Sequence, residues 1–191
     1  MIGTQYWYWN KEIPQKICQK LIKLGKRKWA QAQTFGSVQA NKSLDNVRKS
    51  EVAWIKEQWV YDLIWEYMMS ANEQAGWKYD IVAAENCQIA RYPKDGFYTW
   101  HKDGMGSHNE VTNIPDNEFL HNNTRKLSMS IVLNSDFEGG DFEIRDLDDK
   151  IPRLGEGSVI VFPSFIHHRV APVTKGIRYS LVTWFVGPPF R

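Results

Sequence analysis

The chain has 191 residues, 42% of them hydrophobic and 24% charged, and a net charge of +2. That length suits a single domain with a full core, and that balance excludes a disordered chain. The small net charge makes no case for nucleic acid over the whole surface, and no window approaches the apolar length of a membrane span.

The N-terminus, MIGTQYWYWNKE, lacks the charged start and long apolar stretch of a signal peptide. Cys18 and Cys87 are the only cysteines, too few for a disulfide scaffold or a cysteine zinc site. Both features predict a cytoplasmic, reducing location. Nine tryptophans, nine phenylalanines and eight tyrosines are many for this length. Most must build core, leaving a few to line a pocket.

Pro14 suits the first turn of a helix, and Ile17, Leu21 and Leu24 fall on one face before Gly25. The basic run KLIKLGKRKW reads as the solvated face and exit of that helix rather than as a binding patch. TFGSVQANKSLDN has no clear periodicity and reads as loop. Ile55, Trp59, Leu63 and Tyr67 then recur every fourth residue up to a stop at Gly76, predicting a second helix. Both apolar stripes are core-facing and should pack on something flat.

From residue 80 the texture changes. CQIARY, LSMSIVLN, DFEIRD, GSVIVFP and RYSLVTWFV are short and rich in β-branched and aromatic residues. Asn134-Ser135, Gly139-Gly140 and Gly155-Glu156-Gly157 separate them as turns, and no long helix intervenes. The pattern predicts a mainly β, α+β fold: a sandwich or jelly-roll barrel with N-terminal helices. One domain is expected over residues 1–191, with mostly helical support in 1–79 and the β core in 80–187. The polar segment 104–123 is long for a connection, and long loops beside a site often serve as lids. His108 and His121 lie within it and should face solvent.

In FYTWHKDG, residues 97–104, strand geometry would put His101 and Asp103 on one face beside Tyr98. Such a pair is either a solvated strand end or two of three ligands of a metal. FPSFIHHRVAPVTKGIRYSLVTWFV, residues 162–186, offers His167 and His168 as a third. A turn from Pro172 to Gly176 should then bring Arg178 back beside the histidine strand. Two imidazoles and one carboxylate suit divalent iron, with coordination positions left open. A buried arginine is costly without an anion, and its fork matches a carboxylate. Metal and buried cation together imply a small dicarboxylate that chelates iron at one end.

RYPKDGFYTWHKDG and FPSFIHHRVAPVTKGIR resemble the iron(II)- and 2-oxoglutarate-dependent dioxygenases, and within them the prolyl 4-hydroxylase-like branch. RKLSMSIVLN followed by EGGDFEI resembles the central strand pair of that branch, and YWYWNKEIPQKICQKLI its helical start. The likeness covers most of the chain, with the specific motifs in residues 86–186. It implies a double-stranded β-helix of cupin-like form. It also implies iron(II) held by His101, Asp103 and His168, the last being the histidine ten residues before the anchoring arginine. His167 is left facing away. Arg178 would pair with the distal carboxylate of 2-oxoglutarate and Tyr92 would hydrogen-bond it. Trp184, on the face of Arg178, would lie beside the metal, and Tyr98 would face the substrate.

The chain departs from the family in places. Val132 stands where some relatives carry another cosubstrate tyrosine, so Ser130 or its neighbour Ser128 is expected to supply that bond. The sequence ends at GPPFR, so the additional C-terminal domain of some bacterial relatives is not expected here. Arg178 in place of lysine points away from collagen-type enzymes. The resemblance implies hydroxylation by O2 with release of succinate and carbon dioxide, and ascorbate as reductant. The leading substrate is a peptidyl residue, foremost proline. Rival readings are a hydroxylase of a free amino acid or other small molecule, and a non-catalytic cupin-like binding protein. Nucleobase demethylases carry a second arginine where this chain has Trp184. A zinc hydrolase would leave Arg178 unexplained, and no His-Glu-x-x-His is present.

Overall fold

The computed structural model describes residues 4–26, 29–32, 46–104, 119–145, 147 and 151–190. β1 (Trp7–Trp9) precedes α1 (Gln15–Gly25). Pro14 caps α1, its carbonyl accepting from the amides of Ile17 and Cys18 at 2.8 and 3.2 Å. α1 buries Cys18, Leu21 and Gly25, while Ile17 and Leu24 flank that stripe partly covered.

Three short strands follow: β2 (Ala30–Gln31), β3 (Arg48–Lys49) and β4 (Glu51–Ile55). Ile55 therefore ends a strand, contrary to its expected place on the second helix. Only Lys56 and Glu57 separate β4 from α2 (Gln58–Gln74), so the last core residue of the strand falls in step with the helical repeat. The buried stripe of α2 is Val60, Ile64, Met68 and Ala71, one residue out of phase with the one expected. Trp59, Leu63 and Tyr67 pack against its margin.

The β core comprises β5 (Ala83–Ala84), β6 (Cys87–Tyr92), β7 (Phe97–His101), β8 (Thr124–Val132) and β9 (Phe137–Gly139). It continues with β10 (Phe142–Ile144), β11 (Val159–Pro163), β12 (His168–Val170), β13 (Val173–Gly176) and β14 (Arg178–Gly187). The large sheet runs β1-β11-β8-β14-β6-β4-β2, with β5 also on β14. The small sheet runs β10-β12-β7-β3, and β13 pairs with β9 apart from both. Every pairing is antiparallel.

Period-two alternation divides the large sheet into two faces. Leu127, Met129 and Ile131 of β8, Ile89 of β6, and Leu181 and Phe185 of β14 join the helices in one core. The opposite face meets the small sheet, where Val132, Ile160 and Phe162 pack with Phe142 and Ile144. Val52, Ala90 and Tyr92 likewise pack with Tyr98 and Val170. The result is a jelly roll with helices covering the outer face of its larger sheet. β8 has both faces covered, and every residue of it is buried.

Residues 173–176 form a strand rather than the expected turn. β13 pairs with β9 and carries the chain from the small sheet to the large one. Arg178 consequently does not return beside β12; it stands on β14, in the other sheet. Of the segment expected to act as a lid, residues 105–118, including His108, lie outside the described residues; His121 is exposed. Among the described residues no helix is long and apolar enough to cross a membrane.

Candidate active site

His101 and His168 stand opposite each other in the β7–β12 ladder, and their ring centres are 4.1 Å apart. His101 ends β7, and Asp103 follows two residues later on the same side. The Asp103 amide donates to the Ser164 carbonyl at 2.9 Å, which fixes the carboxylate beneath the β11–β12 loop. One ligand atom from each of His101, Asp103 and His168 can be chosen so that all lie within 4.8 Å of one another.

Both imidazoles are oriented alike. Nδ1 of His101 donates to the Thr99 carbonyl at 2.8 Å, and Nδ1 of His168 to the Ile166 carbonyl at 3.0 Å. With the proton held at Nδ1, each Nε2 presents a lone pair. These lone pairs face Asp103 oxygens at 3.8 and 3.5 Å, beyond ordinary hydrogen-bond lengths and suited to a shared cation. Burial, followed by repulsion from His168, lowers the His101 pKa to about 4. Burial pushes the Asp103 carboxyl upward, but His168, His101, Arg125 and the Ser128 hydroxyl outweigh it and bring it down to about 2. The site thus holds a neutral imidazole and an ionised carboxylate at neutral pH, the forms that bind metal. A His₂Asp set of this kind fits iron(II).

The surroundings hold these ligands rigidly. His101 is stacked on Tyr98 with ring centres 3.5 Å apart, and His168 packs on Phe162 and Phe142 at 4.6 and 5.6 Å. Ser128 donates to Asp103 Oδ2 at 2.7 Å and lies 3.0 Å from Ser164 Oγ. Ser128 is therefore engaged in positioning a ligand, and Ser130, next along the same face, lines the cavity.

Arg178 is 1% exposed. Its Nη1 donates to Ser180 Oγ at 3.0 Å and its guanidinium lies 5.6 Å from the centre of the Tyr92 ring, opposite it in the β6–β14 register. No carboxylate pairs with it among the described residues. Burial lowers its pKa, against the pull of Tyr92 and Asp141. Gly140, at φ +64°, leaves room for its stem, since a Cβ there would sit 2.9 Å from Arg178 Cδ. Ser180, Val182 and Trp184 continue the inward face of β14 along the cavity. His167, just outside β12, lines a separate groove with Lys102 and Arg145.

The sequence reading missed several residues in and around the cavity. Arg125 forks onto Glu85 at 2.6 and 2.8 Å and lies 3.9 Å from the centre of the Trp184 ring. A bulge in the β8–β14 pairing beside it breaks period-two counting, so no pattern could have placed it. Arg48 and Gln88 line the cavity itself. Trp54, half exposed on β4, packs on Trp184 with ring centres 6.3 Å apart. Gln88 alone was findable, since it alternates with Tyr92 on β6.

A jelly roll with two histidines and an aspartate converging inside it is the framework of a mononuclear iron oxygenase. Residues 87–186 match the 2OG-Fe(II) oxygenase superfamily, and the chain belongs to that family. A PKHD-type hydroxylase of Idiomarina loihiensis is 33% identical over 97 residues, 50% of this chain and 39% of that protein. A Synechococcus PKHD-type hydroxylase is 30% identical over 122 residues, covering 59% of this chain and 50% of the other. The chain thus spans half or less of the length of these relatives. Among solved structures, the viral collagen prolyl hydroxylase from Paramecium Bursaria Chlorella virus-1 superposes with a TM-score of 0.71 at 19% identity, covering 97% of both chains. A Pseudomonas putida prolyl-4-hydroxylase gives 0.63 at 20% identity, over 95% of this chain and 91% of that one. At these identities the two structures bear on the fold alone.

Proposed function

We propose that the protein is an iron(II)- and 2-oxoglutarate-dependent dioxygenase that hydroxylates a peptidyl residue, foremost proline. The observation that carries this reading is the pairing of the His101–Asp103–His168 cluster with a buried arginine, Arg178, that has no carboxylate partner among the described residues. His101, Asp103 and His168 hold the metal through Nε2 of each ring and a carboxylate oxygen. Bound there, iron(II) supplies the oxygen-activating chemistry that couples conversion of 2-oxoglutarate to succinate and carbon dioxide with hydroxylation.

The remaining roles belong to the chain itself. Arg178 pairs with the distal carboxylate of 2-oxoglutarate, and Tyr92 and Ser130 supply hydrogen bonds along the cosubstrate. Trp184 and Tyr98 wall the reacting end and exclude water. Ser128 holds Asp103 in register. Residues 80–187 supply the metal cluster and the cosubstrate residues, and residues 1–79 pack around them and add Arg48 to the cavity wall, within one domain. Two buried, unpaired cysteines support a cytoplasmic location. The resemblance of residues 86–186 to the prolyl 4-hydroxylase-like branch favours a peptide substrate. Ascorbate would serve to keep iron reduced.

The test is succinate formation from 2-oxoglutarate by the iron-loaded protein. Mass spectrometry of host-lysate peptides incubated with it should then find a gain of one oxygen on proline. Iron binding with no succinate, with or without peptides, would instead favour a non-catalytic binding protein. Oxidation confined to free amino acids or other small molecules would redirect the substrate class.

A further inference from the structure

The cavity is lined by a buried cation that the reaction described above does not use. Arg48, on β3, is 5% exposed. Its Nε donates to Ser50 Oγ at 2.8 Å and its Nη2 to Gln88 Oε1 at 2.9 Å. The guanidinium lies 4.7 Å from the centre of the Tyr98 ring, on which His101 is stacked. All these neighbours are uncharged or aromatic, and no acidic side chain pairs with Arg48 among the described residues. Nearby arginines are matched differently. Arg91 takes Glu51 at 2.6 Å, Arg125 takes Glu85 at 2.6 Å, and Arg169 takes Glu143 at 2.8 Å.

A guanidinium removed from water and left without an anion is costly, and two neutral acceptors offset only part of that cost. Ser50 and Gln88 do fix its orientation, leaving Nη1 without a partner among the described residues. Arg48 and Gln88 line the same cavity as His101, Asp103 and Trp184, and Trp184 Nε1 is itself buried without an acceptor among them. The wall beside the metal cluster therefore offers donors that no described residue satisfies. 2-Oxoglutarate has two carboxylates, which the proposed function assigns to Arg178 and to the metal. A third anion is needed. We propose that Arg48 receives a carboxylate of the primary substrate, so that the molecule hydroxylated here carries an anionic group close to its target carbon. This rests on the dioxygenase reading for the identity of the other two carboxylates.

The carboxylate can come from a free or C-terminal α-carboxyl group or from an acidic side chain. Three acid–amide pairs separate these sources: acetate and acetamide, N-acetyl-L-proline and its amide, and the capped dipeptides Asp-Pro and Asn-Pro. Each would be titrated calorimetrically into protein loaded with manganese(II) and 2-oxoglutarate. At least one acid should bind tenfold or more tightly than its amide, and the pair that discriminates names the source. Arg48→Gln should erase that ratio. Gln88→Glu should erase it too, because the new carboxylate would take the guanidinium; it also keeps the question answerable if Arg48→Gln fails to fold. Ratios near one for every pair in the unaltered protein would overturn the proposal, as would a ratio that survives in either folded variant. A tenfold loss of 2-oxoglutarate affinity in Arg48→Gln would also overturn it, assigning the guanidinium to the cosubstrate. Succinate formation by the unaltered, iron-loaded protein tests the dioxygenase reading separately.

Discussion

Nδ1 of His168 donates to a backbone carbonyl at 3.0 Å, so the lone pair of Nε2 is left for a cation. His167 instead precedes β12 and borders an outer groove. His168→Ala should therefore abolish iron(II) binding measured anaerobically by calorimetry, while His167→Ala should largely preserve it. The reverse result would move the assignment by one residue. Ser128→Ala, which frees one oxygen of Asp103, should lower metal affinity about 10–100-fold, the usual effect of losing a group that orients a ligand. Arg178→Ala should weaken 2-oxoglutarate binding by about 2–5 kcal/mol, as expected when one partner of a desolvated pair is removed. Unaltered 2-oxoglutarate affinity would remove Arg178 from the site. The nearness of His101 and Asp103 could be read from their spacing, whereas the choice of His168 and Arg178 came from the family resemblance. Arg48 could be read from neither. In RKSE it reads as one more surface charge, and only the β3–β7 pairing, across fifty residues, buries it.

At the scale of elements, the inward face of β14 followed from alternation: Arg178, Ser180, Val182 and Trp184 share it because the strand is regular over that stretch. The error at residues 173–176 has a physical origin. Pro, Thr and Gly favour a turn locally, but pairing with β9 extends the backbone, and no local signal reports a partner so distant. Ile55 failed differently, since two connecting residues let a strand imitate a helical repeat. The β9–β10 turn shows how an element serves the site. Gly140→Ala should lose about 1–2 kcal/mol of stability for a side chain at positive φ and should also displace Arg178, raising the Kd for 2-oxoglutarate. Gly76, at φ +73° with nothing within 4 Å of the point a Cβ would occupy, provides the comparison. Gly76→Ala should show the backbone cost in urea melts and leave 2-oxoglutarate affinity alone. Equal effects of both variants on the cosubstrate would mean that Gly140 acts only through stability.

For the whole molecule, the helices seal the outer face of the large sheet, and both cysteines lie in that seam without solvent exposure. Burial, with Glu156 nearby, raises the Cys18 thiol from 9.0 to about 11. Burial likewise raises Cys87 to about 12, although a hydrogen bond with Thr183 opposes it. The folded state therefore keeps both thiols protonated where the unfolded chain would release the protons. Their contribution to stability is complete below pH 9 and declines from there as the pH rises toward the folded values, by at most about 1.4 kcal/mol per pH unit for each thiol. Urea midpoints should fall between pH 9 and 10.5, and fall less in Cys18→Ala/Cys87→Ala, which lacks both thiols. Below pH 9 an aromatic disulfide reagent should label the native protein no faster than it unfolds, since each thiolate becomes accessible only when the helices leave the sheet. Labelling of both thiols within seconds at pH 8, on protein whose circular dichroism shows it folded, would mean that this seam opens on its own and that the helical layer is not fixed to the jelly roll.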